Sequence, residues 1–317
     1  MPGLGASYPE LDSRDIVADF FPAFEEELSN QWGTQVSMEV ESDRETETFK
    51  WPGAASGMRE WEGGRNLEVL KMFSMTITNA DYESTMAMKL RDLRRDKTAL
   101  LRRRIQEQAR KAAQHWNKLL TTTIESNPNA YDGKSFFSSS HDESGSNQSN
   151  DLGNTAIPAA NVGTVAAPTV EEAADIINQV TGYFYTLKDD QGDPVNGQLG
   201  AIQIQVSTQQ HWAAFYNAVR KDRLSGGEQN TIPGNGIDYE VIFNTRLTGT
   251  SSDKIYFFIT DGLLAPFIRQ EEVPLTEELL GEGSDHEFHH KEHLFGLSAT
   301  RAVGPGRWHH AIRLTLS

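Results

Sequence analysis

The most chemistry-laden stretch of the chain is His286-Glu287-Phe288-His289-His290, with His293 close behind. Two histidines four residues apart with a glutamate after the first is the zinc-hydrolase pattern. On a helix both imidazoles would share one face and Glu287 would serve as general base. That chemistry also needs a third ligand, and no acidic residue follows Glu292, while position 293 is His where an extended zincin signature requires Gly. The flanking Gly281-Glu282-Gly283 and the strand-like sequence that follows make a helix doubtful here, so the cluster reads first as solvated or intersubunit histidines. A second candidate, Asp132-Gly133-Lys134-Ser135, copies the end of a phosphate-binding loop. Pro128 stands where that loop needs its first glycine, and the likeness is read as chance. Neither a G-x-S-x-G elbow nor an evident acid/base carboxylate pair is present. No catalytic, metal or cofactor site is therefore assigned; a metal-dependent hydrolase built on His286, Glu287 and His290 is the alternative.

Two other sets concern contact rather than catalysis. Between Arg91 and Lys111 cations far outnumber carboxylates, although the whole chain carries a net charge of −16. Arg95, Arg102, Arg103 and Arg104 mark this run as a basic helix. It would face either duplex DNA, through phosphates and without base readout, or the carboxylates of neighbouring copies; the latter is slightly favoured. No aromatic residue is interleaved in the run, which argues against base stacking. The second set is Glu47, Lys50, Trp51, Arg59, Glu60, Trp61 and Arg65, where exposed Trp and Arg are expected to anchor on another subunit. Nothing in the sequence supports a covalent cross-link from Lys50 or Lys71.

The elements that must position these residues follow from periodicity. Ile16, Phe20, Phe24, Leu28 and Trp32 recur at helical spacing, with Pro22 expected to kink or split the helix. From Val36 the period changes to two, and alternation resumes in Phe73–Ile77 and Met86–Met88, with glycine turns between. Such polar strands form an extended arm that needs a partner. Leu93 to Ile124 forms a long helical stripe, and a helix over 91–125 would be roughly 50 Å long at about 1.5 Å per residue. The Ser/Asn/Gly-rich stretch 138–164 reads as a mobile loop. A capping box, Thr169 with Glu172, opens the next helix. A strand at 201–206, a helix around Trp212–Val219, strands near 239–245 and 254–260, and β-like sequence at 267–273, 289–297 and 308–316 complete an α+β chain.

Composition narrows the class. With 317 residues, 37% of them hydrophobic, the chain can build a real core. It has no cysteine, which excludes disulfides, thiolate chemistry and Cys-ligated metals. No apolar run is long enough for a bilayer and no secretory signal is seen, so it reads as soluble.

Three stretches carry a resemblance. Trp51-Pro-Gly with Met58-Arg-Glu-Trp-Glu-Gly-Gly-Arg65 resembles the N-terminal signature of the Mu-like prophage major head subunit family. Tyr131-Asp-Gly-Lys-Ser-Phe-Phe137 with His141 resembles the segment after that family's long helix. Leu294 to Trp308 resembles its C-terminal segment. The resemblance implies the tailed-phage major capsid fold: an N-terminal arm (1–35), an extended loop with peripheral strands (36–90), and a peripheral domain with spine helix and surface loop (91–168). An axial domain (169–262) and strands returning to the peripheral domain (263–317) would follow. It implies a major capsid protein that self-assembles into pentamers and hexamers of an icosahedral head around double-stranded DNA, in the virion and, during assembly, the host cytoplasm. Implied partners are further copies, a separate scaffolding protein, a portal, a decoration protein and non-specific contact with the packaged DNA, with no membrane. Another phage structural subunit is a further alternative; the spine-length helix ahead of an α/β unit argues against it.

Overall fold

The computed structural model describes residues 13–52, 72–93, 100–142, 147–224, 227–248 and 253–317. It opens on α1 (Ser13–Ser29), which continues through Pro22 instead of splitting there. The missing proline N–H costs an interior helix about 3 kcal/mol. Burial offsets it: Phe20 is fully enclosed, stacks on Phe24 at 6.0 Å and meets Phe295 edge-on at 5.7 Å.

The alternating segments become strands β1 (Ser37–Glu41), β2 (Thr46–Pro52), β3 (Met72–Thr78) and β4 (Ala80–Lys89). Among the described residues β2 and β3 pair only with each other, antiparallel, from Thr46 opposite Thr78 to Pro52 opposite Met72.

Within the long helical stripe the structure describes α2 (Leu90–Leu93), α3 (Leu100–Ala113) and α4 (His115–Ser126); residues 94–99 lie outside the described set. α3 and α4 are separated at Gln114, where ψ of −5° departs from the helical value of about −42°. The two helices serve different cores. Ile105 and Ala109 of α3 pack with Phe20, Met88, Phe295 and Leu297, whereas Leu120 and Ile124 of α4 enter the main core. A side-chain tie holds the break, with Gln114 Nε2 donating to Glu27 Oε1 at 2.8 Å. Asn127, left-handed at φ 49°, ends α4.

The stretch 138–164 is not a surface loop throughout. Short strand β5 (Asp151–Leu152) and buried Asn150, Leu152, Ile157 and Ala160 thread it into the core. Asn150 makes this possible by binding backbone that no regular strand would satisfy, donating to the carbonyls of Phe136 and Trp308. α5 (Val170–Phe184) carries the full capping box of Thr169 and Glu172. β6 (Ala201–Val206), α6 (Gln209–Arg220), β7 (Asp238–Phe243) and β8 (Lys254–Ile259) follow.

A long hairpin closes the chain: β9 (Phe267–Leu280), the single-turn helix α7 (Asp285–His290) and β10 (Glu292–Pro305). The β-like sequence was expected over 267–273, yet β9 runs on through Pro274. The register shift beside Ser298 and Thr300 gives the proline a bulge, and β1 covers β9 only as far as Glu271. Strand β11 (Ala311–Thr315) is last. The four-stranded sheet has the order β1-β9-β10-β4, and the five-stranded sheet β5-β11-β8-β6-β7. β9 and β10 thus join the arm strands and β4, while β11 lies between β5 and β8 beside the α5/α6 unit.

Candidate assembly surface and the buried junction behind it

Cross-strand pairs share a face, and this sorts the β2–β3 hairpin. Phe49 and Met75 turn inward with Glu47 and Ile77; Met75 and Ile77 are buried. The opposite face is polar and exposed along its length: Thr46, Thr48, Lys50, Ser74, Thr76 and Thr78. Glu47 and Lys50 therefore lie on different faces. Glu47 is half-buried and accepts a hydrogen bond from Ser42 Oγ at 3.3 Å, whereas Lys50 points to solvent. Trp51 sits in register opposite Phe73, and Arg59, Glu60, Trp61 and Arg65 fall outside the described residues.

Of the basic set, Arg95 lies outside the described residues and Arg102 belongs to the backbone of α3. Arg103 and Arg104 are exposed. Arg104 reaches Glu107 at 3.5 Å and Lys111 reaches the same carboxylate at 3.0 Å, which holds Glu107 below the usual carboxylate range, chiefly through Lys111. Such exposed pairs add little stability. Beside them, a cleft of about 370 Å³ between the α3/α4 helices and β4/β10 is lined by Glu83, Arg104, Lys111, His115, Lys118 and Arg301.

The helices are fastened to the hairpin by a charged device that periodicity does not reveal. Trp116 of α4 is enclosed, with the Arg301 guanidinium 4.8 Å and the Arg269 guanidinium 5.3 Å from its ring centre. Arg269 Nε donates to Ser37 Oγ at 2.9 Å and its Nη2 pairs with Glu39 at 3.1 Å, tying β9 to β1. Burial lowers the affinity of both guanidiniums for their protons, and burial raises the pKa of Glu271, opposite Arg301 in the sheet. Nearby, His115 meets Tyr82 edge-on at 4.4 Å, and burial with the Arg301 charge pushes its pKa down to about 4.

Two of the three sequence signatures meet in the interior. His141 is fully buried, with Nδ1 2.5 Å from Asp132 Oδ2 and Nε2 3.1 Å from Asn150 Oδ1. Its ring lies flat on Trp308 at 4.0 Å, and Trp308 in turn stacks on His309 at 3.6 Å. His309 Nε2–H donates to the Lys188 carbonyl at 3.0 Å, leaving Nδ1 facing the Tyr131 hydroxyl at 3.5 Å. Burial holds His309 well below the ordinary histidine pKa. Asp132-Gly133-Lys134-Ser135 is thus a turn, with Gly133 at φ 77° and Asp132 Oδ1 accepting from the Lys134 N–H, and it presents no phosphate cradle. Arg313 completes the junction with two hydrogen bonds to Asp151, at 2.8 and 2.6 Å, while lying over Phe137.

The His286–His290 segment, doubtful as a helix from sequence, does form α7, capped by Ser284. His286 and His290 share a face with ring centres 4.6 Å apart. Glu287 is not available as a base: one oxygen accepts from the Gly283 N–H at 2.7 Å and the other faces His293 at 3.5 Å. Among the described residues, no three His, Cys, Asp or Glu side chains converge on a common point.

Sequence reasoning placed Trp116 in an apolar stripe and quoted Arg301 within a signature without linking them. The available signal was an arginine at an inward position of each of two adjacent strands, which demands a buried partner.

Residues 14–164 match the family described as Mu-like prophage major head subunit gpT. The major capsid protein of Escherichia phage Mu is 26% identical over 109 residues, 34% of this chain and 36% of that protein. The match thus spans about a third of that relative's length. Among solved structures, a chain of the bacteriophage JBD30 procapsid is similar over 98% of this chain and 76% of its own, with a TM-score of 0.52 and 19% identity. A chain of the cyanophage P-SCSP1u capsid is similar over 89% and 86%, with a TM-score of 0.58 and 12% identity. The chain has the tailed-phage capsid fold, and its residues 14–164, just under half of its length, resemble the Mu-like prophage major head subunit family.

Proposed function

We propose that this chain is a major capsid protein, assembling into pentamers and hexamers of an icosahedral phage head that encloses double-stranded DNA. Its place is the virion, with the host cytoplasm as the site of assembly. The observation that carries this reading is the capsid-subunit likeness across 98% of the chain, supported by the family match over 14–164. The unpaired β2–β3 hairpin supports it too. A two-stranded ribbon is marginal by itself, and its outer face, with the Thr48/Thr76 pair between Thr46/Thr78 and Lys50/Ser74, is a row of polar side chains suited to lying on a neighbouring subunit. Of the rest of the expected contact set, Glu47 and Trp51 belong to β2, and Arg59, Glu60, Trp61 and Arg65 follow it in sequence. Closed symmetry would bury this surface in every copy.

The role is structural, without a catalytic step. The exposed cations Arg103 and Arg104 meet the carboxylates of adjacent copies or, on the shell interior, DNA phosphates. A separate scaffolding protein, a portal and a decoration protein are the expected further partners. Sedimentation velocity of the chain, alone and co-expressed with its scaffold, tests the reading. Capsomers or shells are expected; a strictly monomeric chain under both conditions overturns it.

A further inference from the structure

The cleft between the α3/α4 helices and strands β4 and β10 is built around a charge that the fold leaves unanswered. Four cations line it, Arg104, Lys111, Lys118 and Arg301, against two carboxylates, Glu83 and Glu107. That surplus stands out in a chain of net charge −16. Glu107 is already shared between Arg104 and Lys111, and Glu83 accepts from Thr85 Oγ1 at 2.9 Å. Lys118 and Arg301 make no ion pair among the described residues. Arg301 is only 2% exposed, so its guanidinium forms the floor of the cleft, with Trp116 lying against it. Its Nε is enclosed without a hydrogen-bond partner, whereas the Nη atoms are not sealed off, and the guanidinium meets the cleft through that end. Glu271, opposite Arg301 across the β9–β10 ladder, supplies charge but no hydrogen bond. A buried cation without hydrogen-bond partners is costly.

We propose that this cleft binds the phosphate group of a small anion, orthophosphate or a phosphate monoester, held by Arg301 at the floor and Lys118 at the rim. A guanidinium offers N–H donors in a fixed fork that matches phosphate oxygens, and a lysine adds a point charge. Two uncommitted cations match the charge of a phosphate monoester, about −1.5 to −2 at pH 7. The cleft volume of about 370 Å³ suits a small molecule, whose pockets span roughly 300–1,000 Å³. Met86, Leu275 and Leu297 give part of the wall an apolar character that fits the organic body of an ester. The depth of Arg301 favours a small anion over the backbone of a duplex. Bound there, the phosphate bridges α4 to β10. The inference goes beyond the shell reading and does not depend on it.

The test is calorimetric titration of the full chain at neutral pH and low, constant ionic strength, with sodium phosphate, phenyl phosphate and sodium acetate as probes. One phosphate per chain is expected, with acetate much weaker. Tighter binding of phenyl phosphate than of orthophosphate identifies an ester as the ligand class, and equal binding identifies free phosphate; either supports the site. Lys118→Ala and Arg301→Met should each weaken binding by about 10-fold or more, the scale of one hydrogen bond to a charged group. Lys118 is exposed, so its variant keeps the test open even if Arg301→Met does not fold. Arg110→Ala, an exposed cation of α3 that does not line the cleft, should bind as the parent does. Absence of phosphate binding, acetate bound as tightly as phosphate, binding that survives Lys118→Ala, or an equal loss in Arg110→Ala would each overturn the proposal.

Discussion

Replacing Trp116 with leucine tests the device that joins the helices to the long hairpin. The ring is 5% exposed and lies against the guanidiniums of Arg269 and Arg301 at 5.3 and 4.8 Å. Losing the larger side chain costs on the order of 2–4 kcal/mol in burial and cavity terms. A desolvated cation–π contact adds about 2 kcal/mol or more for each cation. With two cations, the combined loss for Trp116→Leu is then about 6–8 kcal/mol. Burial alone and ring–cation coupling are separated by a double-mutant cycle with Arg301→Met, which keeps most of the side-chain length and removes the charge. Urea denaturation of the parent, both single variants and the double variant gives four midpoints. The double variant is expected to be more stable than the sum of the single losses by about 1–2 kcal/mol, because the second substitution removes an interaction already lost. Additivity within about 0.3–0.5 kcal/mol would refute the coupling and reduce Trp116 to an ordinary core residue.

Gly306→Ala should lower stability by about 1–3 kcal/mol, read from the same denaturation curves. A Cβ there would come within 2.5 Å of the Ala265 carbonyl oxygen and 3.0 Å of that of Pro266, both backbone atoms that cannot turn aside. Acidification should destabilise the chain as pH falls from about 7 to 4. His310 and His115, with pKa values lowered to about 4, stay neutral in the fold but take up a proton near pH 6.5 when unfolded. Their contribution is complete above 6.5 and is lost on the way down to 4. For His310 it amounts to about 3 kcal/mol, and for half-exposed His115 it is smaller. His310→Gln should flatten the pH dependence of the urea midpoint over that range, and an unchanged slope would contradict the assignment. Arg103→Ala with Arg104→Ala should leave the midpoint within about 0.5 kcal/mol while reducing shell yield or DNA retention; a large loss of fold stability would show these cations to be internal supports.

Local rules made much of the fold legible. The capping box of Thr169 and Glu172 opens the helix it predicts, and the strand over 201–206 lies where its pattern puts it. The period-two segments at Val36–Val40 and Phe73–Ile77 do form strands. Failures occurred where tertiary contact overrides a local rule. Phe20 and Phe24 carry a helix through Pro22, and a bulge carries a strand through Pro274. Gln114 breaks a helix that contains neither glycine nor proline, because its halves serve different cores. The Ser/Asn-rich stretch looked like loop because its stabilising contacts, from Asn150 to Phe136 and Trp308, span distant parts of the chain. Contact residues were less legible than fold. A resemblance identifies Trp51 to Arg65 as a signature, but a signature does not say what such a segment touches.

The most direct test of the central claim is cryo-electron microscopy of particles formed by this chain with its scaffold. Closed icosahedral shells whose subunits fit this fold, with the β2–β3 hairpin lying over an adjacent copy, are the predicted result. Particles whose shell density fits a different chain, or no closed particles at all, would contradict it.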